Sequence, residues 1–129
     1  RPCVLLASTL LFSLPLVAQT ALSYLEEQAA NGKSTYRDSC QICHGSSLAN
    51  GQFGTPLRGS VFRDKWKEMS LGELLQFAYE KMPPDNVMSL TQEQVAELLA
   101  YIFSRNDIAP GETALSGDSK NQMDVPLPW

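Results

Sequence analysis

The sequence has little positive charge. Ten lysines and arginines stand against fourteen acidic residues in 129, so the formal net charge is −4. Proteins that bind nucleic acids concentrate Lys and Arg to neutralise phosphates. Here the basic residues are spread along the chain, apart from Arg63, Lys65 and Lys67. The charge balance therefore argues against a nucleic-acid partner.

The sequence also lacks alternating strand patterns and internal repeats, and its length suits one small domain. Two segments instead place apolar residues at helical spacing, each preceded by a capping box that starts at Ser70 or Thr91. Pro83 ends the first segment and Asn106 the second. The fold class is therefore predicted to be all-α. The two apolar stripes are Leu71, Leu74, Leu75 and Ala78, then Val95, Leu98, Leu99, Ile102 and Phe103.

Residues 1–18 have the features of an export signal. An apolar run from Cys3 to Leu14 is followed by Pro15 and by the small residue Ala18 near a cleavage point. The run is shorter than the ~20 residues that span a bilayer. We therefore expect cleavage and a periplasmic or otherwise exported protein, without Cys3. An uncleaved membrane anchor is the alternative.

The region after the signal predicts helices and one long loop. Residues 19–31 form a short helical prelude that Asn31-Gly32 interrupts, and a second helix is expected over about 33–43. A loop rich in Gly and Pro follows over 45–59. A loop this long is normally functional or wrapped around a ligand.

Cysteine is scarce, and two of the three cysteines lie in the sequence Cys40-Gln41-Ile42-Cys43-His44. This is the C-x-x-C-H signature of c-type haem attachment, in which two thiols bond one haem and the histidine binds its iron. A structural zinc site needs four ligands, and only Cys3 remains outside the motif. A thioredoxin-like site needs a βαβ context, and a Cys40–Cys43 disulfide leaves His44 unexplained. We therefore expect one covalent haem c.

Histidine occurs once, which excludes a second histidine ligand from this chain. The sixth iron site is then a methionine, another group, or open. Met82 is the preferred ligand because the following Pro83 favours an extended backbone that turns the chain after the 71–81 helix, and because a thioether is a soft ligand. The alternatives are that Met82 is an ordinary core residue and that Met88 is the ligand. The remaining methionines are Met69 and Met123.

With these motifs, the chain resembles the class I cytochromes c, which are small all-α proteins with C-x-x-C-H near the front and an axial methionine behind. The resemblance covers about residues 32–106 and leaves 107–129 as a C-terminal extension, extended or wrapped on the surface. It implies that the helix carrying Gly32 closely crosses the helix carrying Tyr101. It also implies that the Pro56 carbonyl accepts a hydrogen bond from His44.

The resemblance also implies that the Trp66 indole donates to a haem propionate. The alternative is a core tryptophan whose N–H is satisfied elsewhere. Arg58, Arg63 and Lys67 are further candidates to pair with propionates, or else solvated charges.

A narrower resemblance is to the cytochrome domains that accompany quinoprotein alcohol dehydrogenases. The implied function is one-electron transfer between exported redox proteins, for instance a dehydrogenase and an oxidase, and not enzymatic catalysis. The alternatives are a permanent haem subunit of a periplasmic dehydrogenase and, less well supported, an open-site haem enzyme or gas sensor. The resemblance rests on Pro56-Leu57-Arg58-Gly59, Phe62, Trp66, Leu74, Met82-Pro83-Pro84, Ser89-Leu90, Ala100-Tyr101-Ile102 and Asn106.

Overall fold

The computed structural model describes residues 21–129, so the expected signal over 1–18 lies outside the described residues. Within 21–129 the secondary structure is helical, with one isolated β-bridge and no strand, which confirms the all-α prediction. No helix in this part of the chain is long and apolar enough to cross a bilayer. The elements are α1 Glu26–Ser39, α2 Gln41–His44, α3 Ser60–Trp66, α4 Leu71–Lys81, α5 Gln92–Ser104 and a 3₁₀ turn, Ser119–Gln122.

The first helix differs from its prediction. Residues 21–25 are not helical, and α1 then runs without a break through Asn31 and Gly32 to Ser39. The prediction of a separate prelude ending at Asn31-Gly32 was therefore wrong. Glycine costs a helix about 1 kcal/mol relative to alanine, but a tertiary contact at Gly32 offsets this cost. The helical break lies instead at Cys40 (φ −123°, ψ −34°).

That contact is the crossing of α1 and α5. Gly32 is buried, and a Cβ atom built on it would lie 1.8 Å from the Glu97 carbonyl oxygen. Only glycine permits this approach of the two backbones. Farther along the same interface the rings of Tyr36 and Tyr101 are tilted at 52° with their centroids 5.5 Å apart. The close crossing implied by the resemblance is thus present.

The two helices with capping boxes form as predicted. The backbone N–H of Ser70 donates to the Glu73 carboxylate (2.7 Å), and Glu73 N–H donates back to the Ser70 hydroxyl (3.2 Å). Thr91 and Gln94 make the equivalent pair at the start of α5. The chain leaves α4 at Met82 in an extended conformation (φ −121°, ψ 142°), as expected for a residue before proline.

The C-terminal segment 107–129 is part of the core and more than a surface wrapping. The Leu115 backbone is joined to the Gln28 amide by hydrogen bonds of 2.8 and 2.9 Å. The Val125 carbonyl accepts from the N–H of Leu71 (2.8 Å), which joins the segment to the start of α4. The segment also buries five apolar side chains wholly or in part, namely Ile108, Leu115, Val125, Leu127 and Trp129.

We predict that Gly32→Ala destabilises the protein by about 1–3 kcal/mol, because the new methyl group overpacks the α1–α5 crossing. Intrinsic helix propensity alone would give the opposite sign, a gain of about 1 kcal/mol. Denaturant unfolding measures the difference. Ala30→Gly, at an exposed position of the same helix, calibrates the propensity difference. A more stable Gly32→Ala variant would contradict the close crossing.

Candidate functional site

The C-x-x-C-H motif forms a single helical turn, α2, at the end of α1. The backbone N–H of His44 donates to the Cys40 carbonyl (2.9 Å), and Gly45 N–H donates to the Gln41 carbonyl (2.8 Å). Both thiols are free, which is contrary to the disulfide alternative. Cys40 is 9% exposed. Burial, and to a lesser extent the neighbouring Cys43, raises the pKa of the Cys40 thiol to about 11.

The imidazole of His44 is oriented by a backbone carbonyl. Its Nδ1 lies 2.7 Å from the carbonyl oxygen of Thr55. With the proton on Nδ1, the ring donates this bond and its Nε2 lone pair is available to a metal. The bond corrects the assignment of the acceptor to Pro56, which is one residue too late. Pro56 contributes indirectly, because it restricts the backbone of the preceding residue, Thr55, to extended geometry.

The loop over 45–59 lies directly against the motif. Gly54 N–H donates to the Cys43 carbonyl (2.8 Å). A Cβ atom on Gly54 would lie 2.5 Å from Nδ1 of His44, and one on Gly51 would lie 2.0 Å from the Cys43 carbonyl oxygen. The two glycines therefore allow the loop backbone to cover the imidazole and the end of α2.

Asn106 holds the far end of this loop. Its side-chain amide donates to the carbonyls of Leu57 and Ile102, both at 2.9 Å, and its Oδ1 accepts from the Gly59 N–H (3.0 Å). The residue is 5% exposed, so each lost bond would leave a buried polar group unsatisfied. Asn106 thus links the loop to the end of α5.

One apolar cleft is lined by the motif and by residues from α1, the 45–59 loop, α3, α4 and α5. Its empty volume is about 730 Å³, which includes open solvent. The lining residues are Ser39, Cys40, Cys43, His44, Thr55, Leu57, Phe62, Lys65, Trp66, Leu74, Phe77, Ala78, Met82, Pro83, Pro84, Leu98, Leu99 and Ile102.

The two methionine candidates occupy different places. Met82 is partly buried and lines the cleft together with Pro83. Met88 is 56% exposed, has a left-handed backbone (φ 58°) and is not among the lining residues. The structure therefore brings Met82, and not Met88, into the same cleft as His44.

Trp66 also lines the cleft. It is 6% exposed and meets Phe77 edge-on, with ring centroids 5.2 Å apart. Its indole N–H makes no hydrogen bond to any residue within 21–129. The ammonium of Lys65 lies 5.4 Å from the centroids of both rings.

Sequence reasoning missed several residues that form or contact this site. Gly54 and Thr55 were noted only as parts of a loop, and Lys65 only as one of three basic neighbours. The Thr55-Pro56 pair after the motif was the sequence feature that could have identified the carbonyl bound to His44. No local pattern distinguished Lys65, which lines the cleft, from Arg58, Arg63 and Lys67, which do not.

The donor set in the cleft fits a c-type haem. Two thiols three positions apart lie beside an imidazole whose Nδ1 is engaged and whose Nε2 is available. Apolar side chains from three helices would enclose a flat, largely apolar group. The C-x-x-C-H spacing beside an apolar wall is the arrangement that covalent haem attachment uses.

Residues 27–102 match the family model described as cytochrome c oxidase, cbb3-type, subunit III. This chain belongs to the cytochrome c family. The match covers more than half of the chain and includes the motif, the loop, Met82 and most of α5. Membership implies a covalently bound haem c and an electron-transfer role. No curated protein matches the cytochrome sequence closely enough to count as a relative.

We predict that Gly54→Ala lowers the yield of haem-loaded cytochrome and destabilises it by about 1–3 kcal/mol, because the methyl group would displace the His44 ring from the Thr55 carbonyl. The haem-to-protein absorbance ratio and denaturant unfolding measure both effects. Gly111→Ala is the matched control, since its methyl would meet only the side chain of Ser23. Equal behaviour of the two variants would contradict a specific contact with His44.

Proposed function

We propose that this protein is a single-haem cytochrome c that carries one electron at a time between exported redox proteins. Cys40 and Cys43 attach the haem, and His44 and Met82 are its axial ligands. The observation that carries the proposal is the convergence of these four side chains on one apolar cleft. A haem bound there supplies a one-electron iron couple.

The surroundings of the cleft suit such a carrier. The Thr55 carbonyl, Gly54 and Asn106 hold the imidazole and its covering loop in one geometry. Fixed ligands in an apolar environment keep the structural change between the two oxidation states small. Apart from the motif, the lining residues within 21–129 offer only one titratable side chain, Lys65. Acid–base catalysis beside an open iron, as in a haem enzyme, would need a better placed proton donor or acceptor.

A permanent subunit is the second candidate. The matched family is described as a subunit of a cbb3-type oxidase, and the residues quoted above resemble cytochromes of quinoprotein dehydrogenases. A free carrier and a permanent subunit would use the same haem chemistry and would differ in their partner proteins. A free carrier would be monomeric and would exchange electrons with dilute partners, whereas a subunit would co-purify with its enzyme.

The test of the function is spectroscopic. The mature protein, produced with a c-type maturation system, should retain its haem in acid–acetone and titrate reversibly with one electron per chain. Cys40→Ala combined with Cys43→Ala should release the haem. Cys3→Ala, in the expected signal, is the matched control and should change nothing. A colourless wild-type protein, or haem that is extracted from it, would refute the proposal.

We predict that Met82→Ala opens the iron to carbon monoxide, because no other thioether lines the described cleft. The oxidised wild type should show the weak near-infrared sulfur-to-iron band, and Met82→Ala should lose it. The midpoint potential should also fall, since thioether ligation favours Fe(II). Met88→Ala, at the 56% exposed position, is the control. Carbon monoxide binding by Met88→Ala and not by Met82→Ala would reverse the assignment.

A further inference from the structure

The cleft has one charged lining residue that the proposed function does not use. Lys65 lies in the last turn of α3 and is the only Lys, Arg, Asp or Glu among the described lining residues. The other two basic residues of the same segment differ from it. Lys67 forms an ion pair with Asp64 (3.6 Å) outside the cleft, and Arg63 does not line it.

The ammonium of Lys65 is held against the cleft wall without a carboxylate partner. It lies 5.4 Å from the ring centroids of Trp66 and Phe77, a distance at which a cation is attracted to an aromatic face. The ion pairs among residues 21–129 are Arg37–Asp38 and Lys67–Asp64, and neither involves Lys65. The Trp66 indole N–H, on the adjacent residue, has no acceptor from this part of the chain either.

A haem brings two propionate carboxylates to a cleft whose described lining offers no other cationic side chain than Lys65. A carboxylate next to apolar surface is costly unless it is paired or hydrogen-bonded. We propose that Lys65 is the counter-ion of a haem propionate, next to the Trp66 indole N–H that the resemblance to class I cytochromes c already assigns to such a group. This inference rests on the proposed function, because it requires a haem in the cleft.

The pairing has an electrostatic consequence for the iron. A propionate next to an ammonium has its negative charge offset, whereas an unpaired propionate stabilises the more positive oxidised iron. Loss of the Lys65 charge should therefore lower the midpoint potential. A unit charge near the haem, acting in a medium of intermediate dielectric, should change the oxidised-to-reduced ratio at a fixed potential by about fivefold or more.

The competing explanation is structural. Lys65 could simply lie over the two aromatic rings, with its ammonium in water and no contact with the cofactor. Removal of its charge would then change stability by a small amount and leave the haem unaffected. A measurement on the haem itself distinguishes the two explanations, whereas a stability measurement does not.

The experiment compares three holoprotein variants by redox titration and by resonance Raman spectroscopy of the propionate bending bands. Lys65→Gln should lower the midpoint potential and shift a propionate band. Lys65→Arg keeps the charge and should stay near the wild type in potential. Lys67→Gln removes the neighbouring exposed charge and should change neither reading. Because Lys65 is exposed, these substitutions remove no buried contact.

Each outcome decides the proposal. A potential and a propionate band that stay at wild-type values in Lys65→Gln would overturn it, as would an equal change in Lys67→Gln. If Lys65→Gln is not loaded with haem, Lys65→Met is measured in its place, because it keeps an unbranched side chain over the rings. The same changes in midpoint potential and propionate band are expected. A wild-type protein without haem would instead refute the proposed function, so the two failures are distinguishable.

Discussion

The structure depends on one contact, the backbone approach of α1 to α5 at Gly32. A Cβ there would lie 1.8 Å from the Glu97 carbonyl oxygen, so the two helices are fixed closer than any other residue allows. The end of α1 then delivers Cys40 to the cleft, and Asn106, just after α5, holds the covering loop. Both sides of the haem site are thus positioned by the same crossing. The α5 side chains that line the cleft are Leu98, Leu99 and Ile102.

The covering loop is held by both side-chain and backbone hydrogen bonds. The hydroxyl of Tyr36 donates to the Gly45 carbonyl (2.6 Å), Gly54 N–H to the Cys43 carbonyl, and Leu57 N–H to the Leu48 carbonyl (2.7 Å). The loop also places the carbonyl oxygen of Thr55 2.7 Å from Nδ1 of His44. If His44 binds the haem iron as proposed, this hydrogen bond fixes the tautomer and ring plane of its imidazole without adding a charge.

What could be predicted from the sequence was local. The helices α4 and α5 follow from apolar periodicity and capping boxes, and the extended Met82 follows from the proline after it. The features that were wrong or missing depend on contacts between distant segments. Gly32 has a low helix propensity, yet it lies inside α1 because of its close contact with Glu97. His44 is hydrogen-bonded to the carbonyl of Thr55, and not to that of Pro56, because of how the loop folds onto α2. The burial of Val125 against α4 had no signal in a polar tail.

The site combines an apolar wall with very few charges, and this combination limits its chemistry. Among the described lining residues only Lys65 carries a charge, in a protein whose acidic residues outnumber its basic ones. If Met82 binds the iron as proposed, no position is left there for a substrate. Because charges are scarce here, few neighbouring charges compensate for the one that Lys65 carries, and it can influence the haem. A cleft of this kind therefore favours electron transfer over bond chemistry, and one lysine can have a measurable effect on its potential.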